Sequence, residues 1–467
     1  MNRHLDIFNL SQITVRRSKK ELKQQGEHQR HVVSPLLLGE YVPVHRDPVE
    51  LIKMTEANMI PELLPLRHQR MSASLFAFYR GTADLMEDDL KSQNQSMIST
   101  IICGDAHINN YGFYASPERK LLFDLNDFDE ARIGNWESDL KRLMVSVLLA
   151  GGENNFDDAK LRDLCRRVAK VYRRAIKYSY HQSLPNRFYS SYEIHDMMDQ
   201  LHEADNLTQS SHLAHILQKI VVKSSKSNSE TIVEKKTIQD KYGRRHFIEN
   251  APRAKHVDEK AYTEIVNGFY QYRNELPADV KVLLANYSII DIIRYSVGVG
   301  SFGTRCYLLL LRGNDGTHIV LQMKESLPLR YNLLRLTVDD VIRRTVNAGN
   351  RIVTAQKVLQ SASDPFLGST SFGHRSYYVR QFRDMKESID VGKLDWDGFA
   401  LYSEICSFLL AKAHFQSPTA PMIRGYLKGQ KKIDSALADW AVHYAKQVKE
   451  DYAAFLNALD PQTGLLN

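Results

Sequence analysis

Residues 295–326 read YSVGVGSFGTRCYLLLLRGNDGTHIVLQMKES. The stretch is β-branched and aromatic, with turn residues at Gly298–Gly303 and Gly313–Gly316. That pattern predicts a strand, a glycine-rich turn, a second strand, a hairpin and a third strand. Gly298, Gly300 and Gly303 have G-x-G-x-x-G spacing, which alone is a weak signal. A dinucleotide fold needs a helix directly after such glycines, whereas TRCYLLLL continues as a strand, so that reading fails. Glycine lets backbone N–H groups approach anionic oxygen with no Cβ in the way. Gly298, Gly300, Ser301, Phe302 and Gly303 are therefore candidate nucleotide-phosphate contacts. Lys324 lies in the apolar run IVLQMK, where an unpaired charge would be costly, and is the candidate to reach the same phosphates. A tight hairpin beside a surface lysine is the plainer alternative.

A second constellation lies upstream. IICGDAHINNYGFY, residues 101–114, places Asp105, His107, Asn109 and Asn110 directly after a strand-like apolar run. FDLNDFDEARIGNWESDL follows, with Asp127 and Asp129 at a strand end. Phosphoryl transfer needs this set: a carboxylate to orient the attacking hydroxyl, and an amide oxygen with further carboxylates to hold Mg²⁺. Hard oxygen ligands suit that ion and thiols do not. Asp105 is the candidate base, and Asn110, Asp127 and Asp129 are the candidate metal ligands. Asp and Asn also end strands and form Asx-turns, but two such motifs in succession weaken that account. Arg80, in FYRG, allows two readings, a phosphate contact or a brace for an acidic loop. His107 and His414 read as structural histidines, Trp136 and Trp440 as packing.

Together the two constellations contain the parts of a protein-kinase site, in reversed order. Asp105–Asp129 precede Gly298–Lys324, and a circular permutation accounts for this most simply. The expected fold is α+β and two-lobed, protein-kinase-like and permuted, with a small antiparallel strand lobe and a larger helical lobe. The expected divisions are a basic extension over 1–60, a helical lobe with the base and metal motifs over 61–270, a glycine-turn strand lobe over 271–395, and closing helices over 396–467. The expected ligands are ATP, Mg²⁺ and an acceptor hydroxyl.

FAFYRGTADLMEDDL, GDAHINNYGFY, FDLNDFDEARIGNWESDLKRL, VGVGSFGTRCYLLLL, LQMKES and LQSASDPFLG together resemble the uncharacterised bacterial family called domain of unknown function 2252. The resemblance runs from about residue 60 to about 455. The shorter pieces resemble the aminoglycoside and choline kinase-like superfamily. That likeness implies Asp105 as base, Asn110 and Asp127 as metal ligands, Asp129 as an auxiliary carboxylate and Asp139 as the acid bracing the loop. Two positions depart from it. Cys103 stands where histidine is frequent, and the helix expected near 345–362 offers no glutamate for Lys324, which leaves two alternatives: Gln356 as a substitute partner, or Lys324 held otherwise.

The rest of the chain sets limits. Its 467 residues exceed one core, and 43% hydrophobic with 25% charged residues is ordinary for a globular protein. No apolar run is long enough to span a membrane, and the N-terminus lacks a secretory pattern. Cys103, Cys165, Cys306 and Cys406 are widely spaced, so reduced thiols in the cytoplasm are expected. The formal charge of +7 is mild, and its basic runs read as solvated faces. No nucleic-acid module is recognisable, so neither a nucleic-acid nor a membrane partner is expected. A polar stretch over 222–250 reads as a loop or connection. Two other functions remain open: a metal-dependent phosphoesterase built on Asp105, His107, Asp127 and Asp129, and a non-catalytic nucleotide-binding scaffold.

Overall fold

The computed structural model describes residues 17–190, 213, 215–217, 219–220, 229–296, 298, 300, 302–328, 348–382 and 387–467. Its strands, in chain order, are β1 (Ser99–Ile102), β2 (Tyr111–Ala115), β3 (Leu121–Leu125), β4 (Arg132–Asn135), β5 (Thr237–Gln239), β6 (Arg245–Phe247), β7 (Ala254–His256), β8 (Tyr287–Tyr295), β9 (Cys306–Gly313), β10 (His318–Ser326), β11 (Gly368–Phe372) and β12 (Arg375–Gln381). One six-stranded antiparallel sheet has the order β11-β12-β10-β9-β8-β7, and β1–β4, β2–β3 and β5–β6 are separate antiparallel pairs. With long helices around it, the chain is an α+β protein.

The 295–326 stretch supplies the centre of the large sheet. Side chains alternate between faces along a strand, and β10 follows this rule. Leu321 and Met323 pack with Leu309, Leu311, Tyr377 and Val379 beneath Ile265, Phe269 and Tyr272 of the Glu259–Glu275 helix. Val320 faces the other way, with Leu308 and Leu310. Gln322 and Lys324 share that second face by period. The helix Ala348–Leu359 follows β10 in the described chain and precedes β11.

The helical part has its own core. The helices Trp136–Glu153, Asp158–His181, Trp396–His414 and Ile433–Ala458 contribute Leu140, Leu143, Val168, Tyr172, Phe408, Leu409, Trp440 and Tyr444 to one buried cluster. Asp157 and Asp395 each cap a helix start, accepting from the N–H of Lys160 and Gly398. The sheet and helical parts meet at several points. Gln360 donates to the Leu125 carbonyl at 2.5 Å, and Ser361 donates to Asp124 through its N–H and hydroxyl. Beyond β12, Glu387 pairs with Phe113 of β2.

Several elements depart from the sequence reading. The stretch 222–250 is not wholly a loop: it holds the helix Ser229–Lys236 and the hairpin β5–β6. Ile232, Val233 and Phe247 pack against the large sheet there. The closing helices are Trp396–His414, Ala420–Leu427 and Ile433–Ala458. No helix among the described residues is long and apolar enough to cross a membrane, and all four cysteines are buried and free.

The N-terminal helix Lys19–Val32 starts at a Ser18–Glu21 capping box. It crosses the helix Ala420–Leu427 at two glycines. A Cβ on Gly26 would lie 1.8 Å from the Met422 carbonyl oxygen, and one on Gly425 would lie 1.9 Å from that of Lys23. Backbone cannot yield as a side-chain tip does, so this contact requires glycine. Gly26→Ala should destabilise the protein by about 1–3 kcal/mol, the usual span for overpacking. Urea unfolding measures this, and an unchanged midpoint would show that the two helices do not meet as described.

Candidate functional site

Asp139 organises the first motif. Its carboxylate accepts from the N–H groups of Cys103 at 2.7 Å and Gly104 at 2.9 Å, just past the end of β1. His414 Nε2 lies 3.1 Å from the same carboxylate, and Tyr172 Oη meets His414 Nδ1 at 2.7 Å. All three side chains are buried. Gly104 has φ +80°, and a Cβ there would lie 2.1 Å from the Glu130 carbonyl oxygen. The chain can therefore turn sharply into Asp105 while pressed against the 127–131 loop.

Asp105 is held by Arg142, whose Nε donates to Oδ1 at 2.8 Å. Burial would lower the Arg142 pKa, but Tyr79 and Asp105 reverse that and raise it. His107 Nε2 lies 3.8 Å from Asp105 Oδ2. Burial, with the nearby charges of Arg80 and Arg142, pushes the His107 pKa well below its ordinary value, so the imidazole is neutral. Asn110 ties the two motifs together. Its amide nitrogen donates to the carbonyls of Asp105 at 2.8 Å and Asp127 at 2.9 Å, and its oxygen accepts from the Asp127 N–H at 2.7 Å. One lone pair of that oxygen remains for a metal.

Lys324 meets this arrangement from β10. Its ammonium pairs with Asp129 and lies 4.0 Å from Asp127. Burial would lower its pKa, yet Asp127 and Asp129 together raise it. The pKa of Asp129 is raised by burial and by Asp127, against the opposing pull of Lys324. In register beside Lys324 lies Tyr378, whose ring centre is 5.8 Å from the ammonium. Arg380 Nε donates to Gln322 at 3.1 Å.

A cavity of about 480 Å³ is lined by Asp105, Asn110, Asp127, Asp129 and Lys324, with Gly298 and Gly300 of the glycine turn. Phe302 and Gly303 do not line it. Phe302 is fully buried with the Arg70 guanidinium 4.1 Å above its ring, and the Gly303 carbonyl accepts from the Ile60 N–H. Ser301 lies outside the described residues. The turn is fixed through its carbonyls: Arg67 donates to those of Gly300 and Phe302, and Arg70 to that of Gly298.

The residues present suit a magnesium ion with phosphates. Asp127 is half exposed at the cavity, and Asp129 Oδ1 is buried without a partner among the described residues. Magnesium usually takes one or two carboxylates together with substrate phosphates. No group of three His, Cys, Asp or Glu side chains among the described residues forms a cage of its own.

Lys324 takes its partners from the 127–129 loop. Of the two alternatives, the structure has Lys324 held otherwise: Gln356 donates to Gln360 at 2.9 Å. The helix that carries Gln356 acts through Arg351, which donates to the carbonyls of Ala131 at 2.5 Å, Asp129 at 2.8 Å and Leu327 at 3.2 Å. Sequence reading passed over Arg142, Arg351 and Arg380. Arg142 had a signal, since it lies one helical turn after Asp139. Arg351 had another, since it shares a helix face with Ala348, Ile352 and Ala355.

A family model described as an uncharacterised protein conserved in bacteria, DUF2252, matches residues 59–458. The chain belongs to this family. The match spans both motifs, the glycine turn and Lys324, so the whole site lies within the DUF2252 region. Neither the curated proteins nor the solved structures contain a match to the chain.

Asp139→Ala would leave the buried N–H of Cys103 and the part-buried N–H of Gly104 without their acceptor. Each such loss costs about 1–3 kcal/mol, so the variant should lose at least about 2 kcal/mol in urea unfolding. Wild-type stability in that variant would remove Asp139 from its bracing role.

Proposed function

We propose that the protein is a Mg²⁺- and ATP-dependent phosphotransferase with a circularly permuted, two-lobed protein-kinase-like fold. One observation carries the reading: Lys324, on the second strand after a glycine turn, reaches Asp127 and Asp129 in the cavity that also contains Asp105 and Asn110. Such sites place a lysine strand, a glycine turn, a base and metal-binding acids around the nucleotide phosphates. The strand part comes late in this chain, and the chain crosses back to β2 through Glu387.

In this reading Lys324 aligns the phosphates, and its charge is kept by the carboxylates around it. Asp105, fixed by Arg142, orients the acceptor hydroxyl and takes its proton. Asp127, Asp129 Oδ1 and the free Asn110 lone pair would hold Mg²⁺, which supplies charge neutralisation at the phosphates. Gly298 and Gly300 lie where the turn approaches the ligand. The arginine bonds to the turn's carbonyls limit how far it can shift.

A second reading has its own observation. Among the described residues, Lys324 is bound by Asp129 and by no partner on the helix Ala348–Leu359, which suits a non-catalytic nucleotide-binding scaffold as well as an enzyme. The phosphoesterase reading gives no role to the glycine turn or to Lys324.

Labelled ATP, followed at both the γ- and α-phosphate with cell extract as acceptor, distinguishes phosphoryl from nucleotidyl transfer, and γ transfer is expected. Asp105→Ala should keep Mg·ATP affinity near wild type and slow transfer by about two to four orders of magnitude, the span of general-base assistance. Lys324→Ala should weaken nucleotide binding as well as slow transfer. Binding without any transfer by the wild-type protein would favour the scaffold, and full activity in both variants would place the chemistry elsewhere.

Calorimetry tests the metal assignment separately. Asp127→Asn should remove most of the Mg²⁺ dependence of ATP binding while leaving the fold intact. Equal Mg·ATP affinity in the variant and the wild type would count against Asp127 as the main metal ligand.

A further inference from the structure

Arg80 lines the cavity from the short helix Leu75–Gly81. The bracing role open to it from sequence belongs to other residues. Arg142 holds Asp105, Asp139 holds the N–H groups of Cys103 and Gly104, and Arg351 holds the carbonyls of Asp129 and Ala131. Among the described residues, Arg80 Nε is buried with no hydrogen-bond partner. The Phe76 ring centre is 5.9 Å from the guanidinium. Burial lowers the Arg80 pKa, and the charges of Asp105 and Asp127 oppose that shift, so the guanidinium lies within electrostatic reach of both acids. A guanidinium has five N–H donors and no acceptor. Leaving such donors buried and unfilled is costly, and anionic oxygens entering the cavity between Asp105 and Asp127 would fill them. His107 is neutral and does not compete as a cation.

We propose that Arg80 is a further catalytic residue, a guanidinium supplied by the same chain that binds the oxygens of the phosphoryl group during transfer. The inference rests on the phosphotransferase reading. In the step concerned, the acceptor oxygen bonds to the γ-phosphorus of ATP, and the bond from that phosphorus to the β,γ-bridging oxygen breaks. ADP leaves with the bonding pair, and the acceptor's proton passes to Asp105. Charge on the transferring group is spread over its three equatorial oxygens. The planar fork of arginine matches that array, and the point charge of lysine does so less well. Arg80 therefore acts at the transition state, while Lys324 already acts on the bound nucleotide.

The test needs no knowledge of the acceptor. Calorimetry on the full chain measures Mg·ADP affinity with and without aluminium fluoride, which mimics the transferring phosphoryl group. Fluoride should tighten ADP binding to wild type by roughly tenfold or more, as transition-state mimics do. Arg80→Ala and Arg80→Lys should keep Mg·ADP affinity within about threefold of wild type and lose most of that tightening. Millimolar guanidinium should restore part of it to Arg80→Ala alone. Equal tightening in both variants and wild type overturns the role of Arg80 and leaves the phosphotransferase reading in place. Loss of plain Mg·ADP affinity in Arg80→Lys also overturns it, because the contact would then belong to the ground state or the fold. Wild-type protein that binds neither ADP nor ATP overturns the phosphotransferase reading and this inference with it.

Discussion

A buried ammonium needs negative charge beside it, and Lys324 finds that charge 195 residues away in sequence, on Asp129. The pair joins the large sheet to the loop that follows β3. Its cost is severe if broken, because removing one partner leaves an uncompensated buried ion. Asp127 stands at the edge of the same pair and is half exposed at the cavity. The site thus has a paired ammonium and carboxylate at its wall and, in Asp127, a half-exposed carboxylate beside them. Incoming phosphates would compete with Asp129 for Lys324, and incoming magnesium would relieve the repulsion between Asp127 and Asp129.

Around that pair, the protein fixes backbone more than side chains. Asp139 takes two N–H groups of the 103–104 turn, Asn110 cross-links Asp105 to Asp127, and Arg351 takes the carbonyls of Asp129, Ala131 and Leu327. Arg67 and Arg70 do the same for the glycine turn. Arginine suits this work because one planar group serves several carbonyls at once and never loses its charge. Asp139, Arg351, Arg67 and Arg70 come from helices, so the loops inherit the precision of rigid elements. Among the described residues, Arg80 has no such clamping duty, which is why it stands out.

The sheet was largely legible in the chain because its central strands are near-continuous apolar runs separated by glycine turns, a local signal. The acids were legible because Asp105, Asn110, Asp127 and Asp129 cluster after apolar runs. The partner of Lys324 was not legible. A reading guided by the order of elements looked to the next helix and to Gln356, whereas the pairing is set by how sheet and loop meet in three dimensions. Arg380 was hidden for the same reason, since its contact with Gln322 follows from the register of β10 and β12. The helix Ser229–Lys236 and the hairpin β5–β6 escaped because they are short and polar. They bury few apolar residues, and a neighbouring sheet supplies the rest of their core. Phe302 and Gly303 belong to the glycine motif by spacing, yet Arg70 and Ile60 hold them towards the body of the protein, a long-range contact that spacing does not encode.

The central claim is that nucleotide phosphates lie between the glycine turn and the Asp127–Asp129 loop, against Lys324. A crystal structure with Mg²⁺ and a non-hydrolysable ATP analogue tests it most directly. The expected result is a triphosphate in the cavity with Lys324 on its oxygens, and a magnesium ion bound by Asp127. An analogue seated elsewhere, or a cavity that stays closed by the Lys324–Asp129 pair at saturating analogue, would contradict it.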